Sequence, residues 1–248
     1  MNLEEHVVES TSGEYARKVW LMKGAMAKTQ RLCIFLDAEY YLGRMDAPAL
    51  LSDLQAREVL PALTCLLVSH RDSAARHTDY TCSENFSRFI AQDLIAWVRK
   101  TSAGISEHGN LICGLSLSGL ASAYLALTYP QLFPYALCQS GSFWWNDEWL
   151  ARTAKTYSSA PGKFWISVGD REVDAGVTHA PSGMVQGVSQ IAAAERIVEE
   201  LKGMGASVNY HLFSGGHEFA PWKQELPAAL RWLLGQTPEP ASDLNRLA

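Results

Sequence analysis

The 248-residue sequence contains no run of about 18 apolar residues, which excludes a simple membrane-spanning helix. It has no excess of positive charge either. The formal net charge is −5, so the chain as a whole does not attract nucleic acid or an anionic membrane. The first residues are acidic and lack the apolar core of a signal peptide, so we expect a cytoplasmic protein.

Cysteine is scarce, and its count of five is odd. Four of the cysteines lie in apolar runs, as small buried side chains do in a reducing compartment, so we expect no disulfide framework. The seven histidines form no metal-binding pattern: His70 and His77 lie seven residues apart without a partner at metal-ligand spacing. We therefore expect no metal site and no cofactor.

Apolar residues make up 48% of the chain and charged residues 19%, the composition of a compact globular protein. Short apolar runs typical of buried strands alternate with amphipathic segments typical of helices. This alternation predicts an α/β fold with a mostly parallel central sheet and helices on both faces. The strands are predicted at residues 31–37, 62–68, 110–114, 135–140, 163–168 and 207–213, after one or two antiparallel strands within 6–22.

The domain organisation is predicted to be simple, because neither an internal repeat nor an interdomain linker is visible. We expect a single α/β domain over residues 1–235. The polar, irregular segment that follows the fourth parallel strand suggests a small lid over 144–162. The proline-containing segment 236–248 is expected to be a polar tail.

One stretch of the sequence has the pattern of a nucleophile elbow. The apolar run 110–113 stops at Gly114 and a helix of small residues begins three residues later, so Gly114-x-Ser116-x-Ser118-Gly119 lies in the turn between them. Such a turn strains the serine backbone and presents its hydroxyl at the amino end of the helix. Strand and helix nearly touch there, so the residues two away must be small. Gly114 meets this need, whereas Ser118 stands where a second glycine is usual.

An acid and a histidine follow this serine in the chain order that α/β-hydrolases use. The acidic loop comes after the strand at 163–168, and His217 lies in a glycine-lined turn after the strand at 207–213. All three loops lie at the end of the sheet where ligands bind in open α/β folds. We therefore predict that Ser116 is the nucleophile and that His217 is the base that takes its proton.

The acid that orients the histidine has three candidates within six residues of the strand end: Glu172, Asp174 and Asp170. Asp170 also suits a simple turn after Gly169. We prefer Glu172, with Asp174 second. A serine–histidine pair without an acid stays open as well, although loss of the acid normally lowers the rate.

The oxyanion that forms during ester hydrolysis needs backbone N–H donors. One should be the N–H of Leu117, the residue after the nucleophile, at the amino end of the helix. The second should come from the loop after the strand at 31–37. There we consider Ala38 and Glu39, and we choose Ala38.

Aromatic and basic residues also lie on loops at the predicted site. Trp144, Trp145 and Trp222 are either core residues or an aromatic wall for a flat or cyclic acyl group. Arg71 and Arg76 lie in a polar segment, predicted as a loop, after the strand at 62–68. They are either solvated charges or contacts for an anionic substrate.

At these residues the chain resembles the esterase family that includes the enterochelin esterases, enzymes that open ferric-siderophore trilactones. The resemblance covers roughly residues 30–235. Its most specific segments are the elbow at 114–124, the segments 129–133 and 138–145, and the histidine loop 214–222 with its trailing tryptophan.

This resemblance implies the α/β-hydrolase fold and a serine esterase that acts through an acyl-enzyme on a siderophore such as an enterobactin-like trilactone. It gives the catalytic roles to Ser116, His217 and Glu172. It also implies that Arg76, Trp145 and Trp222 line the siderophore pocket.

Three other functions fit the same fold. They are a general carboxylesterase or thioesterase, an acyltransferase in which an alcohol replaces water, and a binding module that has lost catalysis. The presence of both Ser116 and His217 argues against the last. In every case the expected partner is a small molecule and not nucleic acid or membrane, and the sequence does not determine an oligomeric state.

Overall fold

The structure is a computed structural model that describes residues 3–24, 30–157 and 162–235. Its strands are β1 (Leu3–Glu9), β2 (Ala16–Met22), β3 (Arg31–Leu36), β4 (Leu63–Val68), β5 (Leu111–Leu115), β6 (Tyr135–Gln139), β7 (Lys163–Gly169), β8 (Val177–His179), β9 (Met184–Gln186) and β10 (Ser207–Phe213). Eight of them form one sheet in the order β1-β2-β4-β3-β5-β6-β7-β10, and β8 and β9 form a separate hairpin.

The pairing confirms the predicted α/β-hydrolase type of fold. β1 pairs antiparallel with β2, and β2 pairs antiparallel with β4. Every other pair of neighbours in the large sheet is parallel. The carboxyl ends of β3, β4, β5, β6, β7 and β10 therefore meet at one edge, where the loops after these strands can build a site.

Helices connect the parallel strands. They are α1 (Ala38–Gly43), α2 (Ala47–Ala56), α3 (Ser73–Tyr80), α4 (Glu84–Arg88), α5 (Ile95–Thr101), α6 (Leu117–Thr128), α7 (Trp145–Thr153), α8 (Gln190–Gly203) and α9 (Phe219–Leu234). A π-helical segment, Phe89–Leu94, joins α4 to α5, so residues 84–101 form one continuous helical run. None of the helices in the described parts of the chain is long and apolar enough to cross a membrane.

Alternate residues of each central strand enter two apolar layers on opposite faces of the sheet. In β3, Ile34 and Leu36 pack in the layer that contains α6 and α8. Cys33 and Phe35 pack in the layer that contains α1, α2 and α9. Burial of each such side chain contributes roughly 1.5–3 kcal/mol, so continuous apolar strands are stable only when both faces are covered. All five cysteines are free.

Two segments differ from the sequence-based expectations. The polar segment predicted as a loop after β4 contains α3, because the carboxylate of Asp72 accepts the N–H of Ala75 and caps that helix. The small lid expected over 144–162 takes another form. Its residues 144–157 form α7 and the 3₁₀ turn Ala154–Thr156, and Leu150 and Ala154 are fully buried in the core. Residues 158–161 and the expected tail 236–248 lie outside the described residues.

The β8–β9 hairpin lies between β7 and α8, and the sequence pattern does not predict it. Its pairing joins Val177 to Gln186 and His179 to Met184. The hairpin and α7 are in contact. It therefore extends over the edge of the sheet at which the parallel strands end. The single domain expected over residues 1–235 stays a prediction.

Candidate active site

A cavity of about 470 Å³ lies at the carboxyl ends of the parallel strands. The loops after β5, β6, β7 and β10 form its floor and sides, and the β8–β9 hairpin forms its far wall. The residues that line it are Arg76, His77, Ser116, Leu117, Ser142, Trp144, Arg171, Glu172, Asp174, Val177, His179, Ala180, Ser182, Met184, Gln186, Gln190 and His217. Its volume is that of a pocket for a small molecule.

Ser116 stands at the turn between β5 and α6 with a backbone φ of 55° and ψ of −124°. This conformation costs roughly 1–3 kcal/mol for a residue other than glycine. The turn is tight: a Cβ on Gly114 would lie 2.0 Å from the backbone oxygen of Ser118. The N–H of Ser116 donates to the carbonyl of Gln139 at 2.9 Å, and its carbonyl accepts the N–H of Ser142 at 3.0 Å. The elbow predicted from the sequence has the required geometry.

His217, on the loop between β10 and α9, lines the same cavity. Its Nδ1 lies 2.6 Å from Oε2 of Glu172. An ionised carboxylate only accepts hydrogen bonds, so Nδ1 must carry a proton, which leaves Nε2 of the neutral ring as the basic nitrogen. The ring packs edge-on against Trp222, with 4.9 Å between ring centroids. Histidine and acid are therefore held in the relative orientation that general-base catalysis needs.

Of the three candidate acids, Glu172 is the one whose carboxylate contacts His217. Asp170 has the turn role instead, since its Oδ1 accepts the N–H of Gly215 at 2.9 Å. Asp174 lines the cavity, and its backbone oxygen accepts a hydrogen bond from Gln186.

Glu172 is nearly buried, with 9% of its surface exposed, and its second oxygen is also bonded. Oε1 accepts the hydroxyl of Ser140 at 2.6 Å and the N–H of Gly169 at 2.8 Å. Burial alone would raise the pKa of Glu172. The hydrogen bonds from His217, Ser140 and Gly169 outweigh burial and hold that pKa below its ordinary value. The carboxylate is therefore ionised at neutral pH.

The tryptophans divide between the cavity and the core. Trp144 lines the cavity and stacks on His179, with 4.9 Å between centroids and 12° between planes. Trp145 and Trp222, the two tryptophans expected in the substrate pocket, both lie outside the cavity lining. Trp145 packs against Trp149. Trp222 is 2% exposed, and its indole N–H donates to Ser140 Oγ at 3.0 Å. Trp222 thus supports the histidine and its acid from behind.

The two expected oxyanion donors stand at the amino ends of helices. Leu117 is the first residue of α6 and lines the cavity. Ala38 is the first residue of α1 and is fully buried, outside the cavity lining. The alternative, Glu39, directs its carboxylate to Ser69 Oγ at 2.5 Å. Backbone N–H groups in the first turn of a helix are free of intrahelical partners, so the positions of both Leu117 and Ala38 suit a donor.

Arg76 lines the cavity, but its guanidinium is paired with Asp37. Nε donates to Oδ1 at 2.8 Å, and Nη2 donates to Oδ2 at 2.7 Å. Asp37 is fully buried at the end of β3, so this pair must remain intact for the carboxylate to stay ionised there. Arg71 is exposed, pairs with Asp72 and lies outside the cavity lining. The site thus contains one of the two expected arginines, and that one is neutralised.

His70 completes this cluster of charges. Its Nδ1 lies 2.8 Å from Oδ1 of Asp37 and 3.0 Å from Oε2 of Glu39. Burial favours the neutral ring, but the hydrogen bonds with the two carboxylates outweigh burial and raise the pKa of His70 to about 9. The same contacts lower the pKa of Glu39 to about 2, against the effect of burial. His70 and Arg76 therefore balance the two carboxylates at neutral pH.

Within residues 3–24, 30–157 and 162–235 there is no group of three or more His, Cys, Asp or Glu side chains that could hold a metal ion.

Comparisons with known proteins identify the family. Residues 33–233 match the family model described as "Putative esterase". The chain belongs to this esterase family. It is 27% identical over 237 residues to the iron(III) enterobactin esterase of Dickeya dadantii, an alignment that covers 91% of this chain and 54% of that protein. It is 30% identical over 146 residues to the enzyme of the same name from Escherichia coli K12, covering 57% and 36%.

The chain thus spans about half the length of the curated relatives it matches. Among solved structures, the enterobactin esterase from Shigella flexneri in the presence of enterobactin superposes with a TM-score of 0.82 at 24% identity, covering 94% of this chain and 59% of that one. At this identity the likeness shows the fold. The expectations of an α/β-hydrolase fold and of the esterase family are both confirmed.

The sequence pattern does not predict several residues that build this site. Ser142, Arg171, His179 and Gln190 line the cavity, and Ser140 bonds Glu172. Ser140 ends the strand predicted at 135–140 and Ser142 follows it, so their position at the ligand-binding edge was available as a signal. The hairpin that carries His179 has no such signal, because its strands of three residues each are too short to show the alternation of apolar and polar residues that indicates a strand.

Glu172→Gln is expected to lower kcat for ester hydrolysis by ~10²-fold or more. Ser140 and Gly169 both donate to Oε1, so the amide oxygen of the glutamine takes that place. The NH₂ group of the glutamine then donates to His217 Nδ1, which moves the ring proton to Nε2. In this tautomer Nε2 cannot accept the proton of Ser116. Steady-state kinetics check this, with Asp174→Asn as the control, which should change kcat little. Equal effects of the two variants would contradict the assignment.

A second prediction concerns pH. The folded-state pKa of His70 is raised to about 9 from the ordinary 6.5, so its contribution to stability is complete below pH 6.5 and is lost as pH rises through 9. The thermal midpoint of His70→Gln should therefore be lower than that of wild type near neutral pH. The difference between the two midpoints should shrink from pH 7 to pH 10. Calorimetry measures both midpoints, with the exposed His108→Gln as the control. A gap that stays constant with pH would exclude this role of His70.

Proposed function

We propose that this chain hydrolyses carboxylic esters, with Ser116 as the nucleophile, His217 as the general base and Glu172 as the acid that orients it. The observation that supports this most directly is the 2.6 Å contact between His217 Nδ1 and Glu172 Oε2, at a cavity that Ser116 also lines. The strained backbone of Ser116 at the amino end of α6 is a second support. Membership of the esterase family gives the reaction class.

The reaction proceeds in two halves. His217 Nε2 takes the proton of Ser116, whose oxygen attacks the ester carbonyl, and the N–H groups of Leu117 and Ala38 donate to the oxyanion. The tetrahedral species collapses when His217 returns the proton to the leaving alcohol, which leaves an acyl group on Ser116. Water, activated by His217, then releases the acid. Glu172 stays ionised throughout, because its hydrogen bonds favour the charged form.

We further propose that the ester belongs to a siderophore, such as an enterobactin-like trilactone, in its ferric or free form. The support is the similarity over 91% of this chain to a protein named iron(III) enterobactin esterase. A ferric catecholate is anionic, whereas this chain carries −5, so cations must lie at the mouth of the cavity. Arg76 is held by the buried Asp37 at 2.7 Å, so we assign this role to Arg171, which lines the cavity. Arg171 is 69% exposed, and its ion pair with Glu218 is longer, at 3.6 Å, and exposed to solvent.

Labelling with a fluorophosphonate tests the reaction class. Wild-type protein should lose esterase activity in step with the incorporation of one label, which peptide mass spectrometry should locate on Ser116. Ser116→Ala should fold normally, take up no label and lose turnover by ~10³-fold or more. Near-normal turnover of Ser116→Ala would exclude the mechanism. Product analysis with and without an added alcohol separates hydrolysis from acyl transfer.

Arg171→Gln tests the charge of the substrate. Its KM for a ferric siderophore ester should rise ~1.4- to 5-fold, the effect of losing an exposed charge contact of roughly 0.2–1 kcal/mol. Added salt should reproduce part of the change, because screening weakens the same attraction. A small neutral ester should be unaffected. Arg71→Gln is the matched control, because Arg71 is similarly exposed but lies outside the cavity lining. Equal changes for anionic and neutral esters would count against a siderophore.

A further inference from the structure

Ser118 departs from the usual pattern of the elbow, and the structure shows what its hydroxyl contacts. The side chain is fully buried, on the first turn of α6. Its Oγ accepts the backbone N–H of Leu115 at 2.8 Å. The same Oγ lies 2.7 Å from two acceptors, the carbonyl of Leu115 and Oδ2 of Asp37. The hydroxyl has one proton, and a charged carboxylate is the stronger acceptor, so the proton is donated to Asp37.

Asp37 lies on a different segment of the site. It follows β3 with a left-handed backbone, φ 60° and ψ 49°, and α1 begins at the next residue, Ala38. Its carboxylate accepts four hydrogen bonds: from Arg76 Nε and Nη2, from His70 Nδ1 and from Ser118 Oγ. Its backbone N–H donates to the hydroxyl of Tyr80 at 3.1 Å. The amino end of α1 is thus fixed through Asp37.

The contact between Ser118 and Asp37 joins the two segments that carry the proposed oxyanion donors. Leu117 directly precedes Ser118, and Ala38 directly follows Asp37. A glycine or alanine at position 118 would remove this side-chain bond between the two segments. Transition-state stabilisation depends on donors placed within a fraction of an ångström, so one side-chain bond between the two donor segments acts on catalysis itself.

We propose that Ser118 is a positioning residue, whose hydrogen bond to Asp37 sets the separation of the Leu117 and Ala38 N–H groups around the oxyanion. The inference rests on the proposed roles of Ser116 and of these two donors. Ser118 does not touch the substrate, because it lies beneath the turn and outside the cavity lining. Its effect is therefore on the transition state, where the oxyanion forms, and not on binding of the ester in its ground state.

A matched control lies one turn further along the same helix. Ser122 is also fully buried, and its hydroxyl donates to the backbone carbonyl of Ser118 at 2.8 Å. Ser122→Ala also removes one buried hydroxyl from α6, but the hydrogen bond that is lost lies entirely within that helix. A purely structural role of Ser118 would make Ser118→Ala and Ser122→Ala alike in both stability and kinetics.

The test compares Ser118→Ala, Ser118→Gly and Ser122→Ala with wild type on p-nitrophenyl butyrate. Rates are expressed per site labelled by a fluorophosphonate, so that misfolded protein does not count. Both Ser118 variants should lose ~10- to ~100-fold in kcat with KM within twofold, since misplacement by about 1 Å can cost ~100-fold. The Ki of an alkylboronic acid, whose tetrahedral adduct occupies the oxyanion position, should rise in step, whereas the Ki of butyrate should not. Ser122→Ala should change none of these values.

Two results would overturn the inference. One is a pair of Ser118 variants that match Ser122→Ala in kcat and in boronic-acid affinity. The other is a loss that appears in KM and in the affinity for butyrate, which would make Ser118 part of substrate binding. Ser116→Ala in the same assay distinguishes failure of this inference from failure of the proposed function. If Ser116→Ala keeps its turnover or still takes up label, the proposed function fails. If Ser116→Ala is inactive and the Ser118 variants are unaffected, only this inference fails.

Discussion

The site depends on turns at the strand ends that hold non-glycine residues at positive φ. Asp37 after β3, Ser116 after β5 and Ser140 after β6 have φ of 60°, 55° and 42°. Each such residue costs roughly 1–3 kcal/mol and persists only where neighbours fix it from several sides. Those neighbours are visible: Ser116 is bonded to Gln139 and Ser142, Ser140 to Glu172 and Trp222, and Asp37 to four donors. The same bonds that hold the strained backbone therefore also place the functional groups.

The site contains two buried carboxylates, Glu172 and Asp37, which differ in whether the histidine bonded to each is available as a base. Glu172 is bonded to His217 through Nδ1, and the other ring nitrogen of that histidine remains available as a base. Asp37 is bonded to Arg76, His70 and Ser118. His70 carries a proton at neutral pH because its pKa is raised to about 9, so it is not available as a base. Burial opposes the charge of both. Hydrogen bonds, led by that of His217, overcome burial at Glu172, whereas the charge of Arg76 together with hydrogen bonds overcomes it at Asp37. In the proposed mechanism one carboxylate thus serves the reaction while the other fixes the segments around it.

The sheet, the elbow and the histidine loop were predictable because their signals are local: apolar runs, small residues at a turn, and glycines beside His217. Other features depend on contacts distant in sequence. The polar helix α3 is held against the site because Arg76 reaches Asp37, 39 residues away. The cavity receives Trp144 and not Trp145, because the path of the chain after β6 decides which neighbour points inward. The sequence pattern contains neither fact.

The central claim is that an acyl group forms on Ser116 during turnover, and rapid-quench mass spectrometry of the intact protein measures this most directly. A slowly hydrolysed ester is mixed with the protein and quenched at times from milliseconds to seconds. The account predicts an added mass equal to the acyl group, located on the peptide that contains Ser116, which decays as product appears. Turnover without any adduct at Ser116, or an adduct on another residue, would contradict it.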